Sequence, residues 1–321
     1  MSHHGEHEHE RAIKPFADLH RTGDEVVATL LHDPTVEGLD MALYLDGSGS
    51  MSDEYDYPTN FSLFGWLFGN TEKDDDKTNV VEPQARWILE YLATKDRNGK
   101  LRAAYWATGS DGGTVEVIGE YTGKDVGNKK FPGPSVYGSS TLLAPAIKDF
   151  VEYIEQQQAN GAKQGCAVFV TDGVIHDAHE VVELSEEIVH EVEEGHLPEL
   201  NFILVGVGDG VDEEQMEEIC HAEHLAHSHL WCHRVAEEIE DMAELVAVLV
   251  DETMTVAGGG TIYDDDGDVL KRYEGRLPAV LKFEVPDHCR AFTLEVGGKR
   301  YTQPLPAPGE HHGEEHHGGH H

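Results

Sequence analysis

Between Leu39 and Val250 the chain alternates two kinds of apolar pattern. "LDMALYLD", "LRAAYWAT", "TVEVIGEY", "CAVFVTD" and "NFILVGVG" are short apolar runs, with a weaker sixth at "SHLWCHRV". Several are nearly continuous in apolar residues, as expected of strands covered on both faces. The stretches between them carry helical spacing: "VVEPQARWILEYLATK", "TLLAPAIKDFVEYIEQQQ", "AHEVVELSEEIVHEVEE", "DEEQMEEICHAEHL" and "AEEIEDMAELVAVLVDE". This alternation predicts an α/β domain with a doubly wound, mostly parallel six-stranded sheet. The link from "WATGSDGG" to "TVEVIGEY" is too short for a helical crossover, so it predicts one antiparallel edge strand reached by a hairpin.

The pattern changes after Glu252. "GGGTIYDDDGDVLKRYEGRLPAVLKFEVPDHCRAFTLEVGGKRY" reads as short strands divided by Asp-Gly, Pro-Asp and Gly-Gly turns. It predicts a small β domain or extension over 253–305, to which "EVVATLL" (Glu25–Leu31) is a candidate extra strand. The α/β domain is assigned to 25–252, with its core at 39–250. The ends, 1–24 and 306–321, are rich in His, Glu and Gly; neither can bury a core, and both are expected to be disordered.

Composition narrows the function classes. Acidic residues outnumber basic ones by 62 to 23, a formal net charge of −39, and that field repels nucleic-acid backbones and anionic membranes. No run reaches the ~20 apolar residues of a membrane span. The start, "MSHHGEHEHERAIK", lacks the basic and apolar regions of a secretory signal. Four scattered cysteines, Cys166, Cys220, Cys232 and Cys289, fit reduced thiols and a cytoplasmic location better than a disulfide framework.

The segment "ALYLDGSGSMSD" carries the chemistry. A dinucleotide loop needs a third glycine where Ser52 stands, and a nucleophile elbow needs Gly-x-Ser-x-Gly, which residues 47–51 do not supply. A metal site fits better. Asp46, Ser48 and Ser50 offer hard oxygen donors suited to Mg²⁺, and intervening glycines let the backbone wrap closely. One carboxylate and two hydroxyls are too few. In doubly wound sheets ligands sit at the carboxyl ends of strands where the order reverses, so a second loop is sought there. "CAVFVTDG" brings Asp172 to that edge, and "YGSSTLLAPAI" offers another hydroxyl.

At these residues the chain resembles the von Willebrand factor type A (vWA) domains. "LYLDGSGSM" is similar to the Asp-x-Ser-x-Ser start of their metal-ion-dependent adhesion site, "FVTDG" to their second acidic loop, and Thr141 before "LLAPAI" to their threonine position. The resemblance covers about residues 39 to 250. It implies Mg²⁺, with Mn²⁺ or Ca²⁺ as substitutes, held by Asp46, Ser48, Ser50, Thr141 and Asp172, and an open coordination position that takes an Asp or Glu from a protein partner. "GSSTL" departs from the usual Gly-Gly-Thr, so Ser140 is an alternative to Thr141. Within the family, the intracellular branch, with its copine-like and bacterial tellurium-resistance-type domains, fits best, implying a non-enzymatic module of a stress or metal-resistance complex.

Three further features bear on function. The long loop after the first strand of the sheet carries Phe61, Phe64, Trp66, Leu67 and Phe68, read either as a partner-contact patch beside the ion or as a hydrophobic lid. Ten of the 22 histidines lie in the terminal runs 3–9 and 311–321, and five in "CHAEHLAHSHLWCH" at 221, 224, 227, 229 and 233. Imidazole suits Zn²⁺ or Ni²⁺, which gives a second reading as a cation buffer. A third reading, a metal-dependent hydrolase, has only His176 and Asp177 as nearby candidates for a base.

Overall fold

A computed structural model of the chain describes residues 15–30, 37–55, 79–222, 225, 228 and 230–306. The aromatic group at 61–68, residues 1–14 and 307–321 of the two tails, and His224, His227 and His229 lie outside the described residues. The chain divides into two compact units, one of Asp33–Val250 and one combining Met1–His32 with Asp251–His321.

The combined unit is built of antiparallel strands in its described residues 15–30 and 255–304, and it corrects the N-terminal boundary. β1 (Phe16–Thr22) and β2 (Glu25–Leu30) form an antiparallel hairpin, although 1–24 reads as a tail. β2 then pairs with β11 (Val280–Glu284), so residues 25–30 belong here, as the candidate extra strand suggests, and not to the α/β domain. The second sheet is ordered β10 (Val269–Pro278), β9 (Thr255–Tyr263), β12 (Ala291–Val296), β13 (Lys299–Pro304). The physical reason is a shared core. Phe16, Val26, Ala28 and Leu30 are buried with Leu281, Phe283, Phe292 and Leu294, and Phe292 meets both Phe16 and Phe283 edge to face.

The other unit is a mixed α/β layer structure. Its six-stranded sheet comprises β3 (Leu39–Asp46), β4 (Lys100–Thr108), β5 (Thr114–Thr122), β6 (Gln164–Thr171), β7 (Glu199–Val207) and β8 (Trp231–Ala236). The spatial order is β5-β4-β3-β6-β7-β8, parallel throughout except for β4 against β5. Every residue of β3 is buried, which accounts for its unbroken apolar run. The helices are α1 (Val81–Ala93), α2 (Ala144–Gln158), α3 (Ala178–Glu193), α4 (Glu213–Cys220) and α5 (Met242–Thr253). Each of the first four buries a stripe at helical spacing; in α1 it is Val81, Ala85, Ile88, Leu89 and Leu92. Tyr44, Phe150, Phe169, Phe202 and Trp231 pack ring on ring through the middle of the core.

Two helices are shorter than their apolar spacing suggests. α4 stops at Cys220 because Ala222 and Leu225 close a turn (Leu225 N–H to the Ala222 carbonyl, 2.7 Å) that returns the chain toward β8. α5 starts at Met242, after a single 3₁₀ turn at Ile239–Asp241. No helix among the described residues is long and apolar enough to cross a membrane. The connections leaving β3 run to β4 on one side while β6 lies on the other, so the order reverses at the carboxyl end of β3.

Candidate metal centre

β3 ends in Asp46, wholly buried at that reversal point. Its Oδ1 accepts the Ser48 N–H at 2.7 Å, an Asx turn that folds the next residues back over the strand end. Its Oδ2 accepts the Thr171 hydroxyl at 2.7 Å, which ties β3 to the end of β6. The Asp46 carbonyl accepts the Tyr55 hydroxyl at 2.9 Å.

From there a chain of oxygens leads outward. The Ser48 and Ser50 hydroxyls lie 3.0 Å apart, and the Ser50 hydroxyl donates to Asp172 Oδ1 at 2.8 Å. Four of the five residues named from the sequence are thus brought into one network. It runs from a buried carboxylate, through two hydroxyls, to a carboxylate nearer the surface.

Burial raises the Asp46 carboxyl to about 6, against the opposing Thr171 hydrogen bond and with a further push from the Asp172 charge. Asp172 is also raised, again chiefly by burial, while its bond from Ser50 pulls the other way. Two carboxylates held close by hydroxyls, in a place that penalises their charge, are a donor set that fits a hard divalent cation: all oxygen, two negative charges, ordered before binding. Asp46, Ser48, Ser50 and Asp172 would hold such an ion.

Thr141 is placed differently. It is buried, and among the described hydrogen bonds it engages through its backbone alone. Its N–H donates to His176 Nδ1 at 2.8 Å, and its carbonyl accepts the His176 N–H at 2.9 Å. The neighbouring Asp177 accepts the Leu143 and Ala144 N–H groups at 2.8 and 2.9 Å, capping α2 from another segment. His176 and Asp177 therefore act as a strap, holding the 141–144 segment to the loop that carries Asp172. The sequence marks them only as nearby candidates for a base, because a His-Asp pair before a helix has no local sign of such long-range bonding.

Two glycines set how closely the loops meet. Gly47 donates to the Trp106 carbonyl at 2.8 Å, and a Cβ there would lie 2.8 to 3.0 Å from Thr108, Pro134 and Trp106. Gly138 exchanges bonds with Gly47 and Gly49, and a Cβ on it would stand 2.1 Å from the Ala107 carbonyl oxygen. Ala107 itself holds φ +53°, a left-handed conformation unusual for a residue with a side chain. The 137–141 segment is thereby pressed against the Asp46–Ser50 turn, three residues from Thr141.

No protein-family profile matches the chain, and no curated protein matches it in sequence. Among solved structures it is similar to the manganese-loaded TRAP protein of Plasmodium vivax, at 13% identity and TM-score 0.40, over 83% of this chain and 81% of that one. It is also similar to the PilB minor pilin of Streptococcus sanguinis, at 9% identity and TM-score 0.41, over 66% of this chain and 60% of the pilin. A point mutant of that pilin gives 10% identity and TM-score 0.43 over the same shares. At such distances the centre has to be read from its own residues.

Proposed function

We propose that this chain is a non-enzymatic, divalent-cation-dependent protein-binding module of the vWA kind, recognising an acidic side chain of a partner protein. The supporting observation is the Asp46–Ser48–Ser50–Asp172 network: two carboxylates raised by burial, gathered at the sheet's reversal point, whose described hydrogen-bond partners are hydroxyls and N–H groups. Mg²⁺ is the ion proposed, with Mn²⁺ or Ca²⁺ as substitutes, since carboxylate and hydroxyl oxygens suit all three. A bound ion would supply a coordination position for the partner's carboxylate.

The chain's own groups do the rest. The Ser48 N–H and the Thr171 hydroxyl hold both Asp46 oxygens in place, so the buried carboxylate is oriented before any ion arrives. Ser50 links the inner and outer carboxylates. The His176–Asp177 strap keeps the Thr141 segment against them, which makes Thr141 the proposed fifth donor. A cytoplasmic role in a tellurium-resistance-type or copine-like stress complex is the finer form of the same reading.

The test joins calorimetry to affinity capture. Titration of the full chain with Mg²⁺ or Mn²⁺ is expected to give one site that Asp46→Ala loses. Capture of partners from native lysate is expected to fail with EDTA or with Asp46→Ala. Equal titrations for wild type and Asp46→Ala would refute the site. An ion that binds normally while capture ignores EDTA would refute the adhesion role and favour a cation buffer. Turnover of phosphate or ester substrates above the Asp46→Ala background would favour the hydrolase.

A further inference from the structure

A second cluster lies two strands away from the first centre. Glu217 sits on the last turn of α4, and His221 follows it by four residues, so the two share a helix face. His233 stands on the edge strand β8, facing them. One ligand atom from each of the three lies within 4.8 Å of the others. His221 Nδ1 is 3.3 Å from Glu217 Oε1, and His233 Nε2 is 3.4 Å from Glu217 Oε2.

These distances are long for hydrogen bonds, whose N···O separation centres near ~2.9 Å. The two rings approach different oxygens of one carboxylate, and one ligand atom from each residue lies within 4.8 Å of the others, close enough for the three to turn onto a shared ion through bonds of roughly 2.0–2.2 Å. The two imidazole rings lie 6.0 Å apart at 72°, so they converge without stacking.

An independent observation comes from His233. Its side chain is only 8% exposed, and its Nδ1 is buried with no hydrogen-bond partner among the described residues. The other nitrogen, Nε2, faces Glu217 at 3.4 Å, so a ring almost removed from water is aimed into the cluster. Glu217 and His221 are more than half exposed, which leaves an approach from solvent. The carbonyl end of α4 adds a negative potential that favours a cation there.

We infer that Glu217, His221 and His233 form a binding site for one borderline transition-metal ion, Zn²⁺ foremost, separate from the oxygen-lined centre and selected by imidazole instead of hydroxyl. Two histidines and a carboxylate satisfy three positions of a tetrahedral ion and leave the fourth for water or an exogenous ligand. The ion would add a polar tie between the end of α4 and the sheet's edge strand, which already meet through the apolar packing of Met216, Ile219 and Cys220 with Trp231. From the sequence, position 233 falls in the histidine-rich segment, but Glu217 carries no mark that would pair it with either ring.

The test uses the full chain, stripped of metal and titrated with Zn²⁺ against a chromophoric chelator. Any zinc taken by the terminal histidines is common to variants that share the same tails, so the reading is the difference between them. Wild type is expected to hold one more equivalent of Zn²⁺ than Glu217→Gln or His221→Gln, or to hold it about 10- to 100-fold more tightly. Excess Mg²⁺ should leave this difference unchanged. If His233→Gln does not fold, the two surface variants still decide the matter. Titrations of wild type and His221→Gln that superimpose would overturn the inference. Cobalt provides a second readout: visible bands lost in His221→Gln support the ligand set, and a thiolate charge-transfer band would overturn it in favour of Cys220 or Cys232.

Discussion

The two ends of β3 carry the same residue in the same degree of burial with opposite electrostatic solutions. Asp40, at the amino end, is wholly buried and receives the Arg97 guanidinium in a two-pronged pair at 2.8 and 2.9 Å. Asp46, at the carboxyl end, is equally buried and receives one hydroxyl and one N–H. A charge taken out of water needs an opposite charge or it reverts to the neutral form. At the amino end the chain carries that charge itself. At the carboxyl end no Lys or Arg among the described hydrogen-bond partners supplies it, and the charge of the second carboxylate, Asp172, adds to the penalty.

The largest effect is expected where the internal pair is broken. Arg97→Met leaves Asp40 buried without its cation and should cost about 3–5 kcal/mol of unfolding free energy in urea titrations. Asp46→Asn, measured without divalent ions, should cost far less, because no cation is lost. Equal losses in the two variants would mean that the two ends are not different in the way described.

A second contrast lies within the amino end. Asp96 accepts N–H bonds from Met41, Asn98 and Lys100, yet burial, the largest influence, raises its carboxyl to about 6. The folded state therefore holds a proton that the unfolded state, near ~3.9, releases first. The stability this supplies is complete below pH 4 and is lost as pH rises through about 6. The span is at most about 3 kcal/mol, taking ~1.4 kcal/mol per pKa unit. Unfolding titrations from pH 4 to 7 in EDTA should show a shallower slope for Asp96→Asn than for wild type.

Divalent ions should then separate the ends again. At 100 times its dissociation constant Mg²⁺ adds about 2.7 kcal/mol of stability to a chain that binds it only when folded. Wild type should gain that protection, Asp46→Asn should not, and the Arg97→Met deficit should persist at the same size with the ion present. Protection that survives in Asp46→Asn would move the ion elsewhere.

These asymmetries were unevenly legible in the sequence. The six strands and the antiparallel edge follow from local spacing, since continuous apolar runs and a short hairpin link leave few arrangements of the sheet. Asp46, Ser48 and Ser50 stand out because small polar residues interrupt an apolar strand at its end, and the sheet's switch point leads from there to Asp172. What spacing cannot carry is pairing at a distance. Arg97 meets Asp40 across 57 positions, and β2 finds β11 from the far end of the chain. His176 and Asp177 bind a segment 33 to 35 residues earlier. In each case the partner is chosen by the folded surface, and no local feature of either residue announces it.

The smallest effect sharpens the comparison most. Ser50 is exposed, and its hydroxyl joins Ser48 to Asp172. Ser50→Ala removes one donor without touching a buried charge, so its unfolding midpoint in EDTA should stay within about 0.5 kcal/mol of wild type, as for other surface changes. Its Mg²⁺ affinity should fall about tenfold, or ~1.4 kcal/mol, for the loss of one neutral oxygen and of the bond that orders Asp172. A stability loss with unchanged affinity would make Ser50 part of the scaffold. An affinity loss with unchanged stability is what an end built for an external cation requires, and no surface substitution near Arg97 should reproduce it.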